Sequence, residues 1–178
     1  KNFGMMLLNK ELKVVPFTTH IPLKNVHKYI KSKPLESAIK LLNSSLKKNF
    51  NIKKPKIAVT GLNPHSGDGG LLGKEEQKII LPVIKKTRKT GISISGPLSP
   101  DSAFQKKNLK SYDAFLCMYH DQALIPIKTI DFENTVNYTL GLSFVRTSPD
   151  HGTGYDIANK SVASERSLVS AINYAAKI

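Results

Sequence analysis

Several residue types and patterns that are characteristic of particular classes of protein are scarce or absent in this sequence. Its 178 residues include no tryptophan and one cysteine, Cys117. A single cysteine excludes an internal disulfide, which favours a reducing, cytoplasmic location, and its strand-like surroundings place it in the core rather than at a nucleophilic site. No apolar run approaches the roughly 20 residues of a membrane helix, and the first residues lack the apolar core of a signal peptide. What remains is a globular chain, long enough for one domain or two small lobes.

Acidic residues are also scarce. The chain has 13 Asp and Glu against 27 Lys and Arg, a formal net charge of +14. This excess permits a nucleic-acid-binding module, whose affinity for DNA or RNA would fall steeply with salt. Only three of the basic residues are arginine, however, and the lysines are not clustered between stacking aromatics. We therefore favour a solvated lysine-rich surface and expect neither nucleic acid nor a membrane as partner.

Short apolar segments alternate with helical patterns along the chain. Strands are predicted at MMLL, VVPFTT, KIAVTGL, ISISGPL, AFLCMY, TVNYTLGL and SFVRTS. Helices are predicted at PLKNVHKYIKS, PLESAIKLLNSSLKKNF, KEEQKIILPVIKKTRKTG and SERSLVSAINYAAKI. Pro82 predicts a kink or break in the third helix, and Ser164 is a candidate N-cap of the last. The alternation predicts an α/β fold with a largely parallel sheet.

Three of the five histidines, His20, His65 and His120, come just after a predicted strand. Because the carboxyl ends of parallel strands share one edge of a sheet, these side chains can converge. Three imidazoles could hold Zn²⁺ or a similar ion with one position open. Spacing alone leaves the alternative that each histidine makes an ordinary hydrogen bond. His27 is expected to be solvated, and His151 is undecided.

Two further features admit both a structural and a functional interpretation. The glycine-rich loop Gly61–Gly73 precedes a helix, so it is either an anion-binding loop or a tight structural turn. Neither nucleotide-binding pattern fits it, since Leu72 replaces the third glycine of a Rossmann loop and Glu75 replaces the Ser or Thr of a P-loop. Arg146 and Lys128 lie in apolar surroundings, where each serves either a structural ion pair or an anionic ligand.

Five long blocks of sequence resemble one enzyme family. They are TTHIPL, GLNPHSGDGGLLGKEE, GPLSPDSAF, YDAFLCMYHDQALIPIK and VNYTLGLSFVRTSPDHGTGYDIA. With the closing helix, they resemble the 4-hydroxythreonine-4-phosphate dehydrogenase (PdxA) family of pyridoxal phosphate biosynthesis. The resemblance implies an isocitrate/isopropylmalate dehydrogenase-like fold, two α/β lobes around a cleft, here incomplete because family chains carry a long preceding segment. Residues 1–178 would be the C-terminal portion, with about 1–112 mainly the dimer and metal lobe and about 113–178 partly returning to the other lobe.

The resemblance also implies a reaction and its groups. The reaction is the NAD- or NADP-dependent oxidation and decarboxylation of 4-phosphooxy-L-threonine to 3-amino-2-oxopropyl phosphate. The enzyme would be a homodimer, with a divalent Zn, Mg or Co ion bound by His20 and His65 of one subunit and His120 of the partner. Substrate binding falls on a lysine, an asparagine and an arginine: Lys128, Asn137 and Arg146.

Two aspartates within these blocks, Asp101 and Asp121, are candidates for proton transfer or for orienting a ligand histidine. The alternatives to the main interpretation are a related dehydrogenase of another phosphorylated hydroxy acid, such as 4-phosphoerythronate, and an inactive fragment that only dimerises. The first would form NADH from a different substrate, and the second would form a dimer with neither metal binding nor turnover.

Overall fold

A seven-stranded sheet forms the centre of the computed structural model, which describes residues 3–150 and 154–178. His151, left undecided above, lies outside the described residues. The strands are β1 (Gly4–Leu8), β2 (Lys13–Pro16), β3 (Lys56–Thr60), β4 (Ser93–Leu98), β5 (Ala114–Cys117), β6 (Val136–Leu140) and β7 (Thr147–Pro149). Their spatial order is β4-β3-β5-β2-β1-β6-β7.

The sheet is parallel in one half and antiparallel in the other. Strands β4, β3, β5 and β2 run parallel to their neighbours, whereas β1 is antiparallel to β2 and β6, and β7 to β6. The α/β class is confirmed, but the prediction of a largely parallel sheet was wrong for the second half. The connection from β1 to β2 is too short for the crossover that parallel strands need, so these strands form a hairpin.

The described residues form six α-helices around the sheet. They are α1 (Val26–Tyr29), α2 (Ser32–Asn49), α3 (Leu81–Arg88), α4 (Lys106–Ser111), α5 (His120–Ile130) and α6 (Arg166–Lys177). Pro82 lies just after the point where a π-helical turn, Glu76–Ile80, gives way to α3, so the helix changes type near the proline but continues without a break. Ser164 is not the N-cap of α6: Glu165 holds that position without a side-chain cap, and Ser164 Oγ accepts from the Arg166 N–H at 3.4 Å.

Apolar residues on alternate positions of the strands build two core layers. Ile57 and Val59 of β3 pack in the larger layer with α2 and α3, while Ala58 between them faces the layer that contains α5. This alternation is the two-residue period of a strand buried on both faces. Cys117 is fully buried in the second layer, and burial raises the pKa of its thiol, so it is a core residue as predicted.

The strand order determines which loops meet. Strand β5 pairs with both β2 and β3. The parts of the chain before and after residue 112 therefore contribute strands to the same sheet. Because β2, β3 and β5 are parallel, the segments after them leave from the same edge. None of the described helices combines the length and the apolar character that crossing a bilayer requires.

Candidate active site

His20 and His120 lie side by side at this edge. Their ring centroids are 5.7 Å apart, with the ring planes inclined by 47°. The pairing of β2 with β5 continues past the strands, because Thr18 donates both its N–H, at 3.3 Å, and its hydroxyl, at 2.8 Å, to the carbonyl oxygen of Met118. Each histidine follows two residues later, so this extension of the ladder sets their spacing.

Asp121 fixes the orientation of the second imidazole. Its Oδ1 lies 2.6 Å from Nδ1 of His120, and both residues belong to the first turn of α5. Because a carboxylate accepts hydrogen bonds, this contact favours an Nδ1 N–H that donates to Asp121, and it leaves Nε2 on the far side of the ring. The pair borders a cleft of about 440 Å³ that His20 also lines. His120 is therefore held with one ring nitrogen available to a ligand.

His65 does not join the other two histidines. The hydroxyl of Ser66 donates to the carbonyl oxygen of Pro97 at 3.3 Å, which draws the loop toward β4. Within residues 3–150 and 154–178, no three His, Cys, Asp or Glu side chains form a group that could hold a metal ion. The resemblance groups His20 with His65 and takes His120 from a partner, but this chain pairs His20 with His120.

The loop that carries His65 has an unusual backbone. Five consecutive residues from His65 to Gly69 have φ between 40° and 83°, the left-handed region. Three of them, His65, Ser66 and Asp68, are not glycine. Each such residue costs about 1–2 kcal/mol in this conformation, and strain of this kind persists only where surrounding contacts impose it. The predicted need for unusual backbone angles is confirmed and extends beyond the glycines.

A buried carboxylate, Glu76, anchors the residues at the start of this loop. Its Oε1 accepts the N–H groups of Leu62 at 2.7 Å and Asn63 at 2.8 Å, and its Oε2 accepts from the Asn63 side chain at 2.9 Å. This role was not predicted from the sequence. The sequence does place two acidic residues directly after the glycine-rich loop. Because the N–H groups of a loop need acceptors, this placement could have indicated the role.

Gln122 ties the ends of two strands to the start of α5. Its Oε1 accepts from the Met118 N–H and from the Thr60 hydroxyl, each at 2.7 Å, and its Nε2 donates to the Gly61 carbonyl at 2.8 Å. The side chain is buried, with 7% of its surface exposed. It therefore joins the edge that bears His120 to the start of the loop that bears His65, and this role was also not predicted.

Two of the three predicted substrate-binding residues belong to elements that follow one another in the chain. Lys128 on α5 places Nζ 3.3 Å from Oδ2 of Asp150 and 5.1 Å from the centre of the Phe132 ring. Asn137 on β6 has a buried Oδ1 with no hydrogen-bond partner in the described part of the chain. Lys128 thus makes the ion pair that the sequence left open, and Asp150 was not predicted.

Arg146 follows β6 and precedes β7. Its guanidinium donates to the Thr139 hydroxyl at 3.0 Å, and its side chain is exposed. Thr139 and Asn137 occupy positions of β6 that alternate with Tyr138, which packs in the α2 and α3 layer. The arginine therefore approaches the face of β6 that also presents Asn137, leaving charge free for an anion.

Asp101 follows β4, the outermost strand in the parallel half of the sheet. The hydroxyl of Ser99 donates to its Oδ1 at 2.5 Å, and this bond, helped by nearby His65, lowers the pKa of the exposed Asp101 carboxyl. The carboxyl is ionised at neutral pH and can accept a proton but not donate one. His27 is exposed, as predicted.

The chain matches known proteins along nearly its whole length. The sequence profile of the family described as "Pyridoxal phosphate biosynthetic protein PdxA" matches residues 1–175. A 4-hydroxythreonine-4-phosphate dehydrogenase of Sulfurihydrogenibium sp. (strain YO3AOP1) is 52% identical over 98% of this chain and 54% of its own length. One from Aquifex aeolicus (strain VF5) is 49% identical over 97% of this chain and 53% of its own.

Solved structures agree. The 4-hydroxythreonine-4-phosphate dehydrogenase of Klebsiella pneumoniae superposes with a TM-score of 0.89 at 38% identity, covering 99% of this chain and 54% of that one. A terephthalate 1,2-cis-dihydrodioldehydrogenase from Burkholderia xenovorans LB400 gives 0.79 at 28% identity, covering 99% and 56%. The chain spans about half the length of the relatives that it matches.

Proposed function

The chain belongs to the PdxA family, and from this premise we propose that it takes part in the NAD- or NADP-dependent oxidation and decarboxylation of 4-phosphooxy-L-threonine. The product would be 3-amino-2-oxopropyl phosphate, in the cytoplasmic synthesis of pyridoxal phosphate. The observation that carries this proposal is the pairing of His20 with His120 beside a cleft, with Asp121 bound to His120. The names of the relatives support dehydrogenase chemistry, and the pair of imidazoles supports this cleft as the site of the reaction.

The two imidazoles fit a divalent metal ion. With Zn–N bonds of about 2.0–2.1 Å, two imidazoles on one tetrahedral Zn²⁺ have ring centroids roughly 5 Å apart. The observed separation of His20 and His120 is 5.7 Å. Neutral imidazoles suit Zn²⁺ and Co²⁺ better than Mg²⁺, which prefers oxygen ligands. We infer that His20 and His120 are two ligands of one site.

The third ligand would come from a second subunit. In this chain the loop of His65 leans toward β4, bound through Ser66 to Pro97. We infer that the site of a homodimer combines His20 and His120 of one chain with His65 of the other. This assignment keeps the three residues predicted from the sequence and changes which chain supplies which. Metal and dimer would then stabilise each other.

The remaining residues have roles set by their chemistry. When bound, a divalent ion polarises the substrate hydroxyl and the carbonyl made from it, and the nicotinamide accepts the hydride. Asp121 holds the Nδ1 proton of His120 and so presents Nε2. Lys128 and Arg146 offer positive charge to the phosphate and carboxylate of the substrate, and Asn137 offers hydrogen bonds. Asp101, being ionised, is the candidate proton acceptor near His65.

An NADH assay tests this function. The chain is incubated with Zn²⁺, NAD and 4-phosphooxy-L-threonine, and nicotinamide reduction is followed by absorbance. We expect NADH formation that His120→Ala abolishes and that Glu11→Gln, which removes an exposed carboxylate, leaves unchanged. Absence of NADH from a chain that dimerises and binds Zn²⁺ would overturn activity of this chain and favour the inactive fragment.

A second candidate is oxidation of a different hydroxy acid. The Burkholderia xenovorans relative, whose name states a terephthalate dihydrodiol as substrate, shares this fold at 28% identity. The fold therefore supports more than one alcohol substrate. NADH formed from 4-phosphoerythronate but not from 4-phosphooxy-L-threonine would favour this candidate.

A further inference from the structure

The side-chain amide of Gln122 is the centre of a buried hydrogen-bond network beneath the histidines. Gln122 is the third residue of α5, a position from which a glutamine can reach back to N–H groups before the helix. Its Oε1 accepts from the Met118 N–H and the Thr60 hydroxyl, and its Nε2 donates to the Gly61 carbonyl. All four residues are buried. Their hydrogen bonds are therefore shielded from exchange with bulk water and hold the groups that they join firmly.

This amide fits its surroundings in one orientation only. A backbone N–H can only donate a hydrogen bond, and a backbone carbonyl can only accept one. Rotating the amide by half a turn would set Nε2 against the Met118 N–H and Oε1 against the Gly61 carbonyl oxygen. A carboxylate lacks the donor, and an apolar side chain of the same length lacks both groups. The position is therefore suited to glutamine in particular.

On one side, the network leads to His20 and His120. The Met118 peptide donates its N–H to Gln122, and its carbonyl oxygen accepts from the Thr18 hydroxyl at 2.8 Å and the Thr18 N–H at 3.3 Å. Met118 lies two residues before His120, and Thr18 lies two residues before His20. Because so few residues intervene, a shift of the Met118 peptide would move both imidazoles.

On the other side, the network leads to the loop that carries His65. The Gly61 carbonyl accepts from Gln122, and the Gly61 N–H donates to the Leu98 carbonyl at 2.8 Å. Gly61 lies four residues before His65, and the loop folds back on it so closely that a Cβ there would lie 2.9 Å from Ser66 Oγ. The place from which this loop departs is therefore fixed by Gln122 and by β4.

We propose that Gln122 is a positioning residue that sets the metal affinity of the site by fixing the relative placement of three segments, those that bear His20, His65 and His120. The inference rests on the proposed function, in which these histidines bind a divalent ion. Gln122 acts through the backbone and one hydroxyl rather than by binding the ion. In the homodimer, the same amide would hold the histidine pair of one site and the His65 loop offered to the other. Because ligands must be held to within about 0.5 Å, loss of the amide weakens metal binding even in a chain that stays folded.

Calorimetric titration of the metal-stripped chain with Zn²⁺ tests this by comparing Gln122→Met with Asn9→Leu. Each variant replaces a buried amide with an apolar side chain of similar size. Asn9 is 2% exposed, its Oδ1 accepts the Leu12 N–H at 2.9 Å and the Glu11 N–H at 3.0 Å, and it lies in the β1–β2 hairpin at the opposite edge of the sheet. We expect Gln122→Met to raise the Kd of Zn²⁺ at least about tenfold and Asn9→Leu to leave it within about twofold of wild type. Urea denaturation verifies that both variants are folded and measures the loss of stability in each, so a purely structural effect is distinguished from a change in metal binding.

The possible failures are distinguishable. A folded Gln122→Met chain that binds Zn²⁺ like wild type, or equal weakening in Asn9→Leu, would overturn this inference alone. If Gln122→Met does not fold, Thr60→Val, which removes one hydroxyl from the network, is compared with Thr135→Val at the opposite edge, since both threonines are fully buried. Weaker Zn²⁺ binding in Thr60→Val alone would support the inference, and equal affinities of these two variants would overturn it. Absence of Zn²⁺ binding by the wild-type chain would overturn the proposed metal site and the inference with it.

Discussion

Oδ1 of Asp121 lies 2.6 Å from Nδ1 of His120, although the two residues are consecutive in the chain. The contact forms because both lie in the first turn of α5, directly after the buried strand β5. A carboxylate in this position orients the imidazole, as partners of metal-binding histidines do. The metal affinity of His120 should therefore depend on Asp121.

Asp121→Asn should weaken Zn²⁺ binding about 10- to 100-fold, because the neutral amide no longer stabilises a positively polarised imidazole. Calorimetric titration of the metal-stripped chain measures this change. Glu11→Gln is the control for removal of one negative charge from the surface. Equal Zn²⁺ affinities for Asp121→Asn and wild type would show that the contact does not act on the metal site.

Glu76→Gln should lower the free energy of unfolding by about 1–3 kcal/mol, because the amide replaces a charged acceptor of three hydrogen bonds with a weaker one. Urea denaturation measures the loss. The matched control is Glu75→Gln, since Glu75 accepts one side-chain bond, from Asn63 at 2.8 Å, and is less buried. Similar losses for both variants would contradict the role of Glu76 as the anchor of the loop.

Gly67→Ala should be more destabilising than Gly69→Ala, although both glycines have positive φ. A Cβ at Gly67 would lie 2.8 Å from Glu76 Oε2 and 2.9 Å from the Gly73 carbonyl oxygen, whereas one at Gly69 would meet nothing within 4 Å. Gly69→Ala should cost about 1–2 kcal/mol from backbone strain alone, and Gly67→Ala at least about 1 kcal/mol more. Urea denaturation of the two variants measures both losses of unfolding free energy. Equal losses would contradict this packing of Gly67.

The free energy of unfolding should decrease at low pH, partly because the carboxylate of Glu36 becomes protonated. Hydrogen bonds from Lys40 and Lys86 lower the pKa of its carboxyl from 4.5 to about 2. Because the pKa is lower in the folded state, this stabilisation is fully present above pH 4.5 and is lost as the pH falls through 2. Glu36→Gln should therefore flatten the decline of Tm across this interval, and an unchanged decline would contradict the assignment. The effect should be small and should shrink in salt, since both lysines are exposed.

The sequence predicted the strand ends and part of the site. His20 and His120 follow apolar runs that form β2 and β5, and their convergence needs only that these strands be parallel neighbours. The position of His65 was not predictable in this way, because five left-handed residues and the Ser66 to Pro97 bond redirect its loop. Backbone direction in such a loop depends on tertiary contacts that no periodicity records.

Buried polar residues were the main omission. Glu76, Gln122 and Asp150 read as ordinary helix and loop residues in the sequence, yet each satisfies or offers hydrogen bonds across the fold. Each has a partner far away in the chain: Leu62 is 14 residues from Glu76, Lys128 is 22 from Asp150 and Thr60 is 62 from Gln122. Such long-range pairing is set by the strand order, which local patterns do not determine. The hairpin of β1 and β2 was similarly missed as the source of the antiparallel half.

The most direct test of the account mixes histidine variants of the chain and measures Zn²⁺ binding. If His20 and His120 belong to one subunit and His65 to its partner, a mixture of His20→Ala and His65→Ala chains regains intact sites, whereas His20→Ala with His120→Ala does not. The first mixture should recover roughly a quarter of the wild-type stoichiometry, since half of randomly exchanged dimers are mixed and each has one intact site. Recovery in the second mixture but not the first, or no Zn²⁺ binding by the wild-type chain, would contradict the account.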